Sequence, residues 1–385
     1  MGGGVVGAAT TWHLLEAEPS LTVAVIEPDP SHELAASSAA SGGIRQLFTR
    51  PENVLMSQYT HEIIDRWSTW TAPDGSVEGN DVPDLAWRRQ GYLFVAGTSR
   101  AEQLRLDYEQ HVRLGVDAQW LEPERLRELY EHLHTEDLGA AILSPGDGWL
   151  DPHSFLRGMT SRARRLGATM IKGRAVGFET AQRRVTAVRL ESGGTVEGES
   201  FVNVAGVWGP GLSAQLGLHL PVEPMRRYDH YVETKTDFTG YPFIKDPAGL
   251  AVRPESVGLT AALVDFDAPA GFDLSIDPSY FEDVVWPALV ERVPATDQLK
   301  LVSTWAGLYD QNRLDGNMIL DRWSGRLDNY YFATGFSGHG LMHAPAVGRA
   351  LTELIVTGSF QTLDLTRMGL ARIISNSPYR ELSIR

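Results

Sequence analysis

Three glycine-rich clusters hold the residue types best suited to chemistry in this chain. The first is Gly2, Gly4 and Gly7, in the spacing G-x-G-x-x-G. Glycine at the first two positions lets a backbone turn tightly and approach a pyrophosphate, and the third lets a helix and a strand pack closely. A helix N-terminus behind such a loop favours the phosphate charge. Glu27 ends an apolar run 20 residues after Gly7, where a carboxylate would accept the hydroxyls of an adenosine ribose and repel a 2′-phosphate. Glycine is common here, 38 of 385 residues, so the spacing alone would also suit a structural turn. The helix and the strand-ending acid that follow favour a dinucleotide.

The second cluster is SSAASGGIRQLF, residues 37–48. Ser37, Ser38, Ser41, Gly42 and Gly43 offer hydroxyls and N–H groups without bulk, as suits a loop lying along a large planar cofactor. Arg45 in that loop could meet a phosphate, a flavin carbonyl or a substrate carboxylate through its planar fork, or form an ordinary salt bridge. The third cluster follows the strand-like run 330–334. Gly335, Ser337, Gly338, His339, Gly340 and Leu341 lead into a helix whose N-terminus carries free N–H groups and partial positive charge. That charge suits the negative N1–C2=O edge of a reduced flavin. His339 and His343 stand four apart, but no third acidic or histidine ligand is near, so no metal is expected.

The elements that must position these clusters follow from periodicity and punctuation. Helices are expected over 8–17, 55–70, 100–130, 152–166, 278–293 and 342–356, with Asp151 capping the fourth and Gly358 closing the last. Strands are expected over 21–26, 185–191, 195–204 and 330–334, and 221–267 is strand-like throughout. The βαβ unit around Gly2 lacks the strand that a doubly wound sheet places before its glycine loop, so the natural chain is expected to begin upstream of Met1. Cofactor-type elements occur at the start, middle and end, which implies a discontinuous domain with a second one inserted.

Composition narrows the class. A length of 385 residues suits two or three structural units, and 43% hydrophobic with 22% charged residues suits a large core. A formal charge of −15 without any long run of one sign disfavours nucleic acid. The absence of cysteine removes disulfides, thiolate metal sites, cysteine nucleophiles and cofactor attachment through sulfur. No stretch is long and apolar enough to span a bilayer, and the first 30 residues lack a basic leader region, so the expected location is cytoplasmic.

Taken together, GGGVVG with Glu27, SSAASGGIR, the helix after WLDP, the strand FVNVAGVWGP and the loop GFSGHG resemble the FAD-dependent D-amino-acid oxidase/sarcosine oxidase superfamily over nearly the whole chain. Within it, SGGIRQLFTRPEN, LPVEPMRRY, TWAGLYDQNRLDGN and YYFATGFSGHGLMHAPAVGRALTELI are similar to the group of FAD-dependent oxidoreductase domain-containing protein 1. The resemblance implies an α/β protein. A doubly wound FAD-binding domain (residues 1–50, 140–220 and 305–385) would be joined to an α+β substrate domain with an antiparallel sheet (51–139 and 221–304).

It also implies hydride removal from a secondary amine or amino acid onto flavin N5, with oxygen or a carrier as the final electron acceptor. Oxidation of a 2-hydroxy acid and a role in assembling a respiratory complex are the alternatives. Gly2, Gly4, Gly7 and Glu27 would hold the ADP half of FAD. Residues 37–43 and Arg45 would follow the pyrophosphate and flavin, Val176 would meet the adenine, Ala205 and Gly206 would flank the cofactor, and 335–341 would cover the flavin edge. With no cysteine, and with Ala40 where the sarcosine-dehydrogenase branch has a linking histidine, the FAD would be noncovalent. Monomeric sarcosine oxidases place a lysine where this chain has Met342, and an oxygen-activating lysine where Thr260 falls. None of Lys172, Lys235, Lys245 and Lys300 aligns with that oxygen-activating role. Arg45 is the expected carboxylate anchor, with Tyr228, His230, Tyr309 and His339 as candidates for the pocket wall.

Overall fold

The structure is a computed structural model that describes residues 1–71 and 82–382. The chain opens with helix α1 (Val5–Ala17), strands β1 (Ala24–Glu27) and β2 (Gly43–Ile44), and helix α2 (Pro51–Asp65). Strands β3 (Tyr92–Gly97), β4 (Gln119–Leu121), β5 (Leu138–Ser144) and β6 (Gly148–Trp149) lead to helix α3 (Pro152–Arg165). Then come β7 (Thr169–Lys172), the ribbon β8 (Ala175–Ala181), β9 (Arg184–Leu190) and β10 (Thr195–Glu197), and β11 (Phe201–Asn203). Long strand β12 (Val222–Thr234) is followed by β13 (Phe243–Lys245), β14 (Leu250–Glu255) and β15 (Gly258–Leu263). The chain closes with β16 (Leu299–Asn312), β17 (Ile319–Arg322), β18 (Tyr330–Thr334) and helix α4 (Gly340–Val356).

Helix α1 is buried on all sides from Val5 to Leu15, because it lies between α3 and α4 and the strands beneath. A helix this apolar all round must be interior. It crosses α4 closely: a Cβ on Gly348 would sit 2.6 Å from the Ala9 carbonyl carbon. Beneath it, β1 pairs in parallel with β7, and β18 stands between β11 and β17. The Met1–Gly2 backbone joins the two groups. Met1 donates to Val202 O at 2.9 Å, Val204 donates to Met1 O at 3.0 Å, and Gly2 donates to Ile26 O at 3.0 Å.

The second layer is an eight-stranded sheet in the order β16-β12-β15-β14-β13-β3-β5-β4, antiparallel except for the parallel β13–β3 pair. Its back face packs Val232, Ile244, Val252, Leu259 and Ala261 against Phe281, Val285 and Leu289. With a side-chain period of two, their neighbours in sequence point to the front. One register row crosses that front face: Phe94, Lys245, Ala251, Ala262, then Asp229 (one step beyond the His230–Ala261 pair) and Trp305.

Several expected elements shift. The helix expected over 100–130 divides into Ala101–Arg113, strand β4 and Pro123–Leu129, because Gly115 turns the chain at φ +79° and Pro123 starts a new helix. The 278–293 helix is interrupted by a wider turn over Phe281–Val285 ahead of Pro287. Asp151 does cap α3, accepting from the Ser154 N–H. Two expected domain boundaries, 139/140 and 304/305, fall inside β5 and β16, both members of the eight-stranded sheet. The sequence from Pro73 to Pro83 is polar and rich in turn residues, and all of it before residue 82 lies outside the described residues.

Candidate active site

Between the glycine loops and the front face of the large sheet runs a cavity of about 580 Å³. The loops form its floor and the sheet its roof. Gly2, Gly4, Glu27, Ser37, Ser41, Gly42 and Gly43 line it from the N-terminal segments, and Val176, Ala205 and Gly206 from the middle of the chain. Tyr309, Ser337, Gly338, His339, Gly340 and Leu341 complete it from the C-terminal part. Residues far apart in sequence thus meet around one space.

Five expected residues do not line it. Gly7 serves packing, since a Cβ there would lie 2.0 Å from Gly2 O. Ser38 turns back through its N–H to Ala35 O at 3.0 Å. Gly335 is held behind the loop, donating to Asp310 Oδ2 at 2.7 Å. Tyr228 and His230 are the larger corrections: both occupy even positions of β12 and point to the back face. The Tyr228 hydroxyl donates to Ser275 O at 2.9 Å, and the His230 ring lies 5.0 Å from Phe281.

The floor is mostly backbone. Glu27 accepts from the Gly3 N–H at 2.8 Å and from the Asp29 N–H at 2.9 Å, so the acid that ends β1 also braces the glycine loop. The Ser37 hydroxyl accepts from the Val5 N–H at 3.2 Å, tying the second loop to the start of α1. The glycines divide by purpose. Gly2 sits at φ +95° with Val204 O 2.5 Å from a would-be Cβ, so the fold itself requires it. At Gly4 a Cβ would meet only Ser37 Oγ, at 3.5 Å, and would otherwise project into the cavity.

Arg45 is buried where the floor loop rises to the roof. Nη1 donates to Leu47 O, and Nη2 donates to His339 Nε2 at 3.1 Å. Because a guanidinium only donates, Nε2 of His339 is the acceptor, and a neutral ring carries its proton on Nδ1. Phe48 and Phe94 sandwich the guanidinium at 4.1 and 4.9 Å. Arg45 therefore clamps the start of α4 to the floor loop, and it also lines the cavity. Asp310 supports the same loop, accepting from Gly335 N–H, and burial pushes its carboxyl up to about 6.

Sequence reasoning missed the charged residues of the roof. Arg227, Asp229 and Lys245 all line the cavity, and so does Tyr92. No lysine aligns in sequence with the oxygen-activating position, yet Lys245 lines the cavity; it comes from β13, whereas Thr260 on β15 is not in the cavity wall. Burial pushes the Lys245 ammonium down to about 7, with Arg227 and Arg45 adding to the shift and Asp229 opposing it. Burial likewise raises the Asp229 carboxyl, although Arg227 and the Ser41 hydroxyl, 2.8 Å from Oδ1, oppose that. The alternation in MRRYDHYV could have grouped Arg227 with Asp229 and Tyr228 with His230. It could not have said which pair faces the site.

A glycine loop at a helix start, an acid closing the next strand and a side-chain-rich sheet facing them across one cavity define an oxidoreductase built around a dinucleotide. Residues 1–354 match the family model described as FAD dependent oxidoreductase (DAO); the chain belongs to that family, and FAD is its cofactor. It is 32% identical to FAD-dependent oxidoreductase domain-containing protein 1 of Xenopus laevis, over all of this chain and 84% of that protein. Mitochondrial dimethylglycine dehydrogenase of Mus musculus is 26% identical over 93% of this chain and 42% of its own length. Among solved structures, L-proline dehydrogenase from P. horikoshii superposes with a TM-score of 0.86 at 24% identity, over 98% of this chain and 97% of that one, which shows the shared fold.

The cavity fits FAD by its own geometry. The open space before Gly4 faces the start of α1, where a pyrophosphate would meet N–H groups and the positive end of the helix. Gly206, at φ +53° with nothing within 4 Å of a would-be Cβ, leaves similar room on the opposite wall. Among the described residues no cluster of acidic or histidine side chains could hold a metal, and no helix is long and apolar enough to cross a membrane.

Proposed function

We propose that the protein oxidises the C–N bond of a secondary amine or an amino acid. The observation that carries this reading is the single cavity with a dinucleotide floor and a charged roof, which brings a small polar substrate against the cofactor. FAD, when bound, would supply the acceptor for the hydride that leaves the substrate α-carbon as its C–N bond becomes C=N.

The chain's own residues do the positioning. Gly2, Gly4 and Glu27 hold the ADP half, Val176 meets the adenine, and Ser37, Ser41, Gly42 and Gly43 line the path to the flavin. Ala205 and Gly206 flank it. Gly340, Leu341 and Met342 line the cavity at the start of α4, and their N–H groups would favour the negative charge that reduction brings to a flavin held there. The Arg45–His339 clamp fixes that helix end, and Tyr309 forms the wall beside Gly338, where a Cβ would lie 2.4 Å from its ring. Residues 1–50, 140–220 and 305–385 form the cofactor part and 51–139 with 221–304 the substrate part, the two sharing β5 and β16. The FAD is held noncovalently.

Anaerobic titration of the holoprotein with N-methyl and D- or L-amino acids tests this. Loss of the oxidised flavin band with at least one amine is the expected result. Bleaching by 2-hydroxy acids alone would move the reading to alcohol oxidation. No bleaching by either class would leave a flavoprotein whose role is structural, such as assembly of a larger complex.

A further inference from the structure

Two cations of the roof, Arg227 and Lys245, line the cavity from separate strands. Arg45 and Arg227 act electrostatically on Lys245 with the Asp229 carboxyl opposing them, while Asp310 also lines the cavity and Asp147 and Glu381 act on Arg45. Arg45 is engaged with Leu47 O and His339. Arg227 is not: it is 7% exposed, it lines the cavity, and among the described residues nothing accepts a hydrogen bond from its Nε or Nη1. The Tyr309 ring lies 4.9 Å from it and supports one face. A buried guanidinium with bare donors is unfavourable until an anion completes it, and its fork matches a carboxylate.

Lys245 enters from the other side. In the register row Lys245–Ala251–Ala262–Asp229, three inter-strand steps separate the ends, about 14 Å of backbone. Arg227 lies two residues from Asp229 on the same face. The alanines leave the middle of the roof open, and the two long side chains reach toward it from opposite sides. Arg227, with its bare donors, and Lys245 thus present two cationic points on either side of one open strip.

We propose that the substrate is a secondary amine bearing two carboxylates, one on the Arg227 fork and the other at the Lys245 ammonium, bridging the open strip over Ala251 and Ala262. This rests on the amine-oxidation reading for its chemistry but not for its charge. The test is calorimetry on the holoprotein with two redox-inert ligands that carry sulfur in place of the amine: thiodiacetate and (methylthio)acetate. Thiodiacetate is expected to bind at least ten times more tightly. Lys245→Met should bring it down to the affinity of (methylthio)acetate, and Arg227→Gln should weaken thiodiacetate about 10- to 100-fold. Arg227→Lys serves as the variant if the glutamine form does not fold.

Equal affinities in the unaltered protein, or no binding of either ligand, overturn the proposal whatever the variants do. Flavin reduction by iminodiacetate and by sarcosine is then followed separately. Tight thiodiacetate binding without reduction by any amine keeps the dianion site and rejects amine oxidation. Reduction by sarcosine with equal affinities for the two sulfur ligands does the reverse.

Discussion

The floor of the cavity is made of backbone and its roof of side chains. On the floor, recognition comes from N–H groups at two helix starts and from glycines, and the one well-placed acid, Glu27, also braces its own loop. On the roof it comes from Arg227, Asp229 and Lys245, set on one face of a sheet whose back is apolar. A backbone surface recognises what every member of a cofactor class shares, and it tolerates few substitutions because atoms close the gaps. A sheet face can exchange every second residue without disturbing the core behind it. On the proposed reading the floor therefore fixes the cofactor and the roof the substrate.

The sharpest way to break that division is Gly4→Val. It should abolish flavin retention, read from the flavin-to-protein absorbance ratio after gel filtration, while the thermal unfolding of the apoprotein changes little. Full flavin content in the folded variant would show that the floor does not depend on this opening. Next is Arg45→Lys, at the seam of floor and roof. A point charge cannot serve Leu47 O and His339 with the planar fork, so flavin reduction should slow about tenfold. The loss should be equal for amines with and without carboxylates; a loss confined to carboxylated amines would return Arg45 to the substrate site.

A third prediction uses pH. Lys245 is faced by Arg45, Arg227 and Asp229, and its ammonium is held at about 7. A dianion prefers the protonated form, so thiodiacetate affinity should be flat below that pH and fall up to tenfold per unit above it, with proton uptake on binding. Lys245→Met should flatten the profile. The smallest effect belongs to Tyr228→Phe on the back of the sheet. Losing the bond to Ser275 O should cost about 1 kcal/mol of stability, while flavin reduction stays within twofold. A large change in reduction would place the back face in the site after all.

The roof also shows where sequence reading stopped. Gly2, Gly4 and Glu27 are legible because the loop, the helix and the strand that use them are contiguous, so spacing along the chain is spacing in the structure. Arg45 was legible as a site residue, whereas its pairing with His339, 294 residues away, was not legible. Tyr228 was misplaced and Lys245 overlooked for one reason: which face of a strand meets a cavity is decided by what packs on the other face.

The sequence by itself determined the family, the cofactor, the helix capped by Asp151 and the glycine loops, because these depend on local geometry that a few adjacent residues impose. Only the tertiary structure decided that Lys245, Arg227 and Asp229 share one wall. Strand register and the apolar packing of Phe281, Val285 and Leu289 on the back of the sheet set that arrangement, and both are long-range quantities.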